Sequence, residues 1–530
     1  MTTLTATTPA VASKAAHPRG LYVLFGTEAW ERFSYYGMRA LLVLYLVKAM
    51  NVPPLEAQEM YGIYTGLVYL TPIFGGWIAD KYLGARLTAV VGGTVMMLGH
   101  FAMAVPSLLH VALGLLIIGN GFFKPNTTSM VGELYDGKDD PRRDGGYTIF
   151  YMGINLGSFV SSFICGTLGE KVGWDWGFAS AGVGMFIGLC TLIRLQHILG
   201  GSGLKPGQRP IGMHNVPVVA AFTLASIAMV FGVLGVWPFI KLAVAGIPKL
   251  VSIIGGIAIV WAVVTVWSKA TTAKGAAPAP LTAAERMRVA AVCILVVFVI
   301  FFWMGFEQAG GSMNLFADRQ TDRHINLFGW KADHYISLFG WIITIPAIFE
   351  IPATWFQSIN PLLIVLLAPA FSMLWTRVNK SSFPLSDIAK QALGMIVLGL
   401  GFVVMFFAQS RANVVGTVGP EWLFFVYALH TIGELMLSPV GLSMVARAAP
   451  HRIAALLMGV WFIANGVANY FAGALGGLLA GSGVPPYLFL LASSIGMGVL
   501  LLLLTPFLNR MLNSRDAVEA PDAPLQPALA

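Results

Sequence analysis

The chain is 530 residues long, 57% hydrophobic and only 11% charged, against a charged share of about 25% in ordinary soluble domains. That composition, with a mean hydropathy of +0.76, excludes a soluble globular protein and defines a polytopic helical membrane protein. The formal net charge of +8 does not signal nucleic-acid binding, because the cations fall in short loops between apolar runs, as membrane topology requires.

Residues 1–20 are small and polar with no apolar core, so they are expected to form an N-terminal cytosolic tail rather than a cleavable signal peptide. Stretches long enough to cross a ~30 Å hydrocarbon core follow near 21–50, 55–80, 86–106, 107–134, 144–170, 174–199, 215–238, 245–269, 285–318, 340–377, 386–411, 420–447, 451–480 and 485–512, fourteen in all. The first span is unlike the rest. It carries Glu28, Glu31, Arg32, Tyr36 and Arg39 before running on as the apolar Ala40–Val47. Glu28, Arg32, Tyr36 and Arg39 fall at i, i+4, i+8 and i+11, on one helical stripe. A charge at the bilayer centre costs roughly 2.5–3.5 kcal/mol and is retained only facing a bundle interior or a wet cavity. Glu307, Glu434 and Lys124 also fall inside spans. Unpaired, these four acids and three bases would cost roughly 20 kcal/mol in sum. A structural pair such as Glu28–Arg32 accounts for part of that; proton uptake and ligand binding are the alternatives.

Of the 32 Lys and Arg, 21 fall on one side of the fourteen spans, 8 on the other, and three, Arg32, Arg39 and Lys124, within them. This positive-inside bias places the N- and C-termini in the cytoplasm. The spans divide six, two and six. The middle pair (215–269) holds no acid, with Lys241 and Lys249 between its helices, and leads into an Ala- and Pro-rich flexible linker (270–284) that includes Thr271–Pro280. The expected fold is therefore an all-α membrane protein with the major facilitator layout: six-helix bundles at 21–199 and 285–512, a two-helix insertion, and a C-terminal tail at 513–530. Between 320 and 350 the pattern is mixed, and amphipathic Ile336–Phe349 reads as an interfacial turn of helix.

Motifs follow in chain order. Gly75-Gly76-Trp77-Ile78-Ala79-Asp80-Lys81-Tyr82-Leu83-Gly84-Ala85-Arg86 resembles the major facilitator loop motif, with glycines for close helix approach and Asp80 and Arg86 for inner-side charge contacts. Gly119-Asn120-Gly121-Phe122-Phe123-Lys124-Pro125-Asn126 places a lysine beside a proline that frees a carbonyl and bends the helix. Gly153-Ile154-Asn155-Leu156-Gly157 lies in the fifth span. The later spans add Trp303-Met304-Gly305-Phe306-Glu307-Gln308, Trp355-Phe356-Gln357-Ser358-Ile359-Asn360-Pro361, Gly433-Glu434-Leu435-Met436-Leu437-Ser438-Pro439 and Met458-Gly459-Val460-Trp461-Phe462. Cys165, Cys190 and Cys293 all sit in apolar runs, with no spacing for a disulfide framework or a metal. His100 and His430 read as packed helix histidines.

Together with the Glu28-x-x-Glu31-Arg32 opening and Tyr35-Tyr36-Gly37, these segments, in this order over roughly 20–512, resemble the bacterial proton-dependent oligopeptide transporter family. The resemblance implies a proton-coupled symporter that imports di- and tripeptides across the inner membrane by alternating access, without a cofactor or an obligate protein partner. It implies proton coupling through Glu28, Glu31, Arg32 and Glu307, the last pairing with Arg39 or responding to protonation in the outer gate. Arg39 and Lys124 would take the peptide carboxylate and Glu434 its amino group, with Ser438 in the same motif. Asn155 and Asn360 would bond the peptide backbone, while Tyr36, Tyr69, Trp303 and Trp461 would line side-chain pockets. A histidine that some relatives carry in the second helix is missing from Met60–Gly66, so carboxylates must carry the proton. A small-anion carrier is disfavoured by Glu434, which would repel an anion. A membrane sensor lacks a signalling domain in the short tail, and a membrane-embedded enzyme lacks metal-ligand or nucleophile spacing in the spans.

Overall fold

The computed structural model describes residues 16–137, 140–244, 281–326, 333–338, 341–345, 348–382, 384–450 and 453–514. The expected span at 245–269, the linker Thr271–Pro280 and most of both tails lie outside these residues. The described chain is built of α1 (Gly20–Lys48), α2 (Pro54–Leu70), α3 (Pro72–Ile78), α4 (Ala85–Met103), α5 (Leu109–Glu133), α6 (Arg143–Ser161), α7 (Trp174–Arg194) and α8 (Val216–Val244) in its first part. There follow α9 (Ala283–Phe306), α10 (Ser312–Arg319), α11 (Ile359–Asn379), α12 (Asp387–Val415), α13 (Glu421–Ala448), α14 (Ala454–Leu479) and α15 (Pro486–Leu512).

Among the described residues, 12 helical segments are long and apolar enough to cross a membrane. The charge-bearing α1 is not one of them, although its 29 residues reach about 43 Å at 1.5 Å per residue. Several crossings are broken where the sequence requires it. Pro72 lacks an N–H and separates α2 from α3 within the crossing Pro54–Leu83. Glu307–Gly310 tightens into a 3-10 turn between α9 and α10. Pro125 stays inside α5, and the carbonyl it leaves without a helical donor, that of Gly121, meets Gly75. A Cβ on Gly75 would lie 1.9 Å from that oxygen, whereas Gly76 has nothing within 4 Å. Close approach therefore depends on the first motif glycine, not the second.

In the first half, α1 packs on α6 and α7, and α4 on α5 and α7; in the second, α12 packs on α13 and α15, and α9 on α14 and α15. Two seams join the halves, α2 against α14 and α6 against α11. At the first seam a Cβ on Gly473 would sit 2.1 Å from the Gln58 carbonyl and 2.7 Å from the Gly62 Cα, so the helix backbones are in direct contact. The insertion helix α8 lies outside, against α4 and α5, with Val230 in a small cluster beside Val91, Val95 and Leu115.

Two expectations are corrected. The tenth span begins later than 340. The described residues of 336–349 form no helical turn but strand β2 (His334–Leu338) paired antiparallel with β3 (Trp341–Ile345), register Leu338↔Trp341 to His334↔Ile345. A shorter pair joins His324–Ile325 to Phe349–Glu350. The β-branched run Ile342-Ile343-Thr344-Ile345 favours a strand, and an apolar stretch this short does not distinguish strand from helix by periodicity. The inner-side charge contacts expected of Asp80 and Arg86 also do not appear as ion pairs among the described residues. Asp80 is exposed, while Arg86 is buried and donates to the carbonyls of Ser202, Gly200 (2.9 Å) and Gln196 (3.5 Å). The motif arginine thus pins the connection that follows α7.

Candidate functional site

The charged stripe of α1 faces the protein interior. Glu28, Glu31, Arg32 and Arg39 are all buried. Arg32 forks onto Glu31, with Nε and Nη2 each donating to one carboxylate oxygen, the latter at 2.6 Å. A planar guanidinium matches a carboxylate in this bidentate way. Glu28 Oε1 lies 3.4 Å from Arg32 Nε but accepts no hydrogen bond among the described residues, while its Oε2 accepts from Thr127 Oγ1 at 3.0 Å. Asn120 Nδ2 reaches Glu31 at 3.3 Å. Two turns on, Arg39 is ion-paired with Glu307 of the second half and donates through Nε to the Tyr61 hydroxyl. The Tyr36 ring lies between the two arginines, 5.9 Å from the Arg32 guanidinium and 5.6 Å from that of Arg39.

These groups border a central cavity of about 240 Å³ between the halves. All ten residues expected at the substrate site line it: Arg39, Tyr36, Tyr69, Lys124 and Asn155 from the first half, and Trp303, Asn360, Glu434, Ser438 and Trp461 from the second. Of the four expected proton-coupling residues, Arg32 and Glu307 reach the wall and Glu28 and Glu31 lie behind it. Lys124 forms no ion pair among the described residues; its ammonium stands 5.4 Å from the Tyr69 ring centroid, within cation–π range. Glu434 accepts from Asn360 Nδ2 at 2.8 Å, and Asn360 also donates to Thr431 Oγ1 at 3.1 Å. Glu434 has no cationic partner either among the described residues. Of the seven charges expected within the spans, five are thus committed to ion pairs; among the described residues Lys124 and Glu434, on opposite walls, are not.

The wall contains residues that sequence reasoning passed over. Among the described residues, Gln357 Nε2 and Trp303 Nε1 are buried donors without a hydrogen-bond partner, available to a ligand carbonyl. Tyr151, Tyr427, Phe462 and Asn465 also line the cavity. Gln357 lay within a segment already marked, and Asn465 is one turn beyond Trp461 with its amide on the Trp461 carbonyl (2.9 Å). Helical spacing from a marked residue was the signal that could have found it. His430, read from sequence as packing, borders the cavity while its ring packs against that of Phe402, tilted by 52° with centroids 4.7 Å apart.

Polar contacts between the halves cluster at the end of the molecule opposite the start of α1. Beyond Arg39–Glu307 they include Lys48–Asp318 at 2.9 Å, Lys171–Glu350 at 2.6 Å and Asn314 Nδ2 on the Ala40 carbonyl at 2.8 Å. Glu170 accepts from the backbone N–H groups of Ala353 and Thr354, both at 2.9 Å, at the N-terminal end of the segment leading into α11. The distal face is therefore latched.

The POT family model matches residues 86–347 and 337–484. The peptide transporter YePEPT of Yersinia enterocolitica subsp. palearctica is 34% identical over 535 residues, covering 96% of this chain and 98% of its own. A di-/tripeptide transporter of Lactococcus lactis subsp. cremoris is 34% identical over 462 residues, 84% and 87% of the two chains. Among solved structures, a peptide transporter POT in complex with sulfate superposes with a TM-score of 0.73 at 32% identity over 95% of this chain and 97% of that one.

Proposed function

Because the chain belongs to the POT family, we propose that it imports di- and tripeptides with protons across the inner membrane, both termini in the cytoplasm, by alternating access around the central cavity. The observation that carries the reading is the pair of uncommitted charges, Lys124 on one half and Glu434 on the other, facing one cavity of about 240 Å³. A zwitterionic peptide supplies the complementary pair: its carboxylate goes to Lys124 and its ammonium to Glu434. Arg39 is already held by Glu307, so it acts first as a latch and reaches the peptide carboxylate only when Glu307 lets go. The donors Gln357 Nε2 and Trp303 Nε1 and the amides of Asn155 and Asn360 are within the wall to meet backbone groups. Affinity drawn from termini and backbone, with Tyr36, Tyr69 and Trp461 against the side chains, leaves selectivity broad.

Proton coupling follows from the same geometry. A proton on Glu28 has an oxygen, Oε1, with no competing donor, and it removes one of the two carboxylates that hold Arg32. Ser438 lines the wall beyond Glu434 and completes the second-half side of the site. The lipid bilayer is the solvent for the apolar crossings. A bare-anion carrier is disfavoured because Glu434 would face the anion within the same cavity. The test is uptake of labelled dialanine into proteoliposomes under an inward proton gradient, with and without a protonophore. Accumulation that collapses with the protonophore is expected; absence of both accumulation and dialanine exchange would overturn the peptide assignment.

A further inference from the structure

The face that α5 turns toward α1 is only partly used by the peptide site. Asn120, Lys124 and Thr127 fall at i, i+4 and i+7 on α5, one stripe of the helix. Lys124 borders the central cavity. The residues on either side of it meet α1 instead, Asn120 Nδ2 on Glu31 at 3.3 Å and Thr127 Oγ1 on Glu28 Oε2 at 3.0 Å. Thr127 is 0% exposed and Glu28 1%, so each must find its partner inside the protein. A hydroxyl has one proton to give. Within reach of Thr127 Oγ1 are Glu28 Oε2, the Lys124 carbonyl at 3.2 Å and the Phe123 carbonyl at 3.5 Å. The carboxylate is both the nearest and the charged acceptor, so it takes the proton in preference to the carbonyls. Thr127 thus supplies the one hydrogen bond that Glu28 accepts among the described residues. It falls on Oε2, while Oε1 is the oxygen 3.4 Å from Arg32 Nε.

We infer that Thr127 is a positioning residue for the proton step, its hydroxyl anchoring Glu28 through Oε2 so that Oε1 is the oxygen left to take the proton. The inference rests on the reading of Glu28 as a proton-coupling carboxylate. The charged groups that act on Glu28 are Arg32 and Glu31 from its own helix and Lys124 from α5. The other two helices packed on α1 carry their charges at their ends, Arg143 and Asp144 on α6, Asp175 and Arg194 on α7. Thr127 is therefore the neutral member of the set. Removing its hydroxyl alters one hydrogen bond and no charge, which separates anchoring from the ion pairs around it. Its neighbour provides the contrast. Thr128 is exposed, and its hydroxyl bonds the Lys124 carbonyl at 3.0 Å rather than a carboxylate.

The test compares the parent chain with Thr127→Val, Thr127→Ser and Thr128→Val, first by dialanine uptake into proteoliposomes as a function of pH. Valine keeps the branched shape and drops the hydroxyl. A hydroxyl donated to a carboxylate favours its charged form, and one such bond corresponds to about one pH unit. The pH of half-maximal uptake should therefore move up by about one unit in Thr127→Val. Thr127→Ser should restore the parent profile, and Thr128→Val should leave it unmoved. The second readout is infrared difference spectroscopy between acid and neutral pH, in which the protonated carboxyl band of Glu28 is identified by its loss in Glu28→Gln. That band should shift to higher frequency in Thr127→Val, as its carbonyl oxygen loses a donor, and return in Thr127→Ser. An unmoved band or an unmoved uptake profile in Thr127→Val, a serine variant that behaves like the valine one, or an equal shift in Thr128→Val would each overturn the inference. The infrared band does not depend on transport, so it judges the anchor separately from the peptide assignment.

Discussion

At the scale of single residues, the division between committed and uncommitted charges makes separable predictions. Lys124→Ala should weaken a free-carboxylate dipeptide by about 10- to 100-fold, the range of one charge-assisted hydrogen bond, and leave its carboxyl-amidated counterpart nearly unchanged. Glu434→Gln should do the same for free-amino against N-acetylated peptides. Competition against labelled dialanine in proteoliposomes measures both, and equal losses for capped and uncapped peptides would remove the polarity from the site. Glu28→Gln, at the carboxylate whose Oε1 accepts no hydrogen bond, should abolish gradient-driven accumulation while preserving exchange. Glu31→Gln should do this and also lower yield of folded protein, because it breaks the fork that neutralises Arg32 in the interior and leaves a buried charge short of a partner. If Glu28→Gln still concentrates peptide, the proton does not pass through it.

At the scale of elements, the distal seam depends on backbone contact between α2 and α14. Gly473→Val places a branched side chain where even a Cβ would lie 2.1 Å from the Gln58 carbonyl. Overpacking of this kind costs about 1–3 kcal/mol, enough to shift a two-state population by roughly 5- to 150-fold. Spin labels on the distal ends of α2 and α14 should report a longer separation, with slower uptake; an unchanged distance distribution would show that the seam yields elsewhere. Most crossings were legible in the sequence because twenty consecutive apolar residues have few alternatives to a membrane helix. The cavity residues were legible for the same reason: a charge on an apolar helix needs an interior destination, which picked out Arg39, Lys124, Glu307 and Glu434. What escaped was short or remote. The β2–β3 hairpin is a ten-residue apolar pattern without a decisive period. The Arg86 contact to the connection after α7 and the Glu170 cap on Ala353 and Thr354 join residues 116 and 183 apart in sequence, and neither residue carries a local signal of its partner.

At the scale of the whole molecule, two sets of charged contacts hold the distal face. The outer set lies beyond the crossings. Lys171, bonded to Glu350, and Arg323 beside it hold the Glu350 carboxyl below its ordinary value. A carboxyl depressed in the folded, latched state stabilises that state above its ordinary range, and the contribution is lost only as pH falls through the depressed value. Between about pH 5 and 8, then, the Glu350 contribution is constant, and this carboxylate is not what senses protons. Glu350→Gln should therefore raise the distal-open population at every pH in that window without changing the shape of the uptake-versus-pH curve. Uptake over this range should follow the interior carboxylates instead. The driving force is set by the membrane, not by the latch: one proton moving inward supplies about 2.3 kcal/mol per 100 mV and about 1.36 kcal/mol per pH unit. With both at one unit, the accumulation of a neutral peptide should level off at several hundred-fold per proton. Measured plateau ratios at stepped potentials and gradients then count the protons directly, since a second proton squares the ratio. A plateau that moved with Glu350→Gln would place the rim network in the coupling path, because a latch changes rates and populations but cannot change the stoichiometric limit.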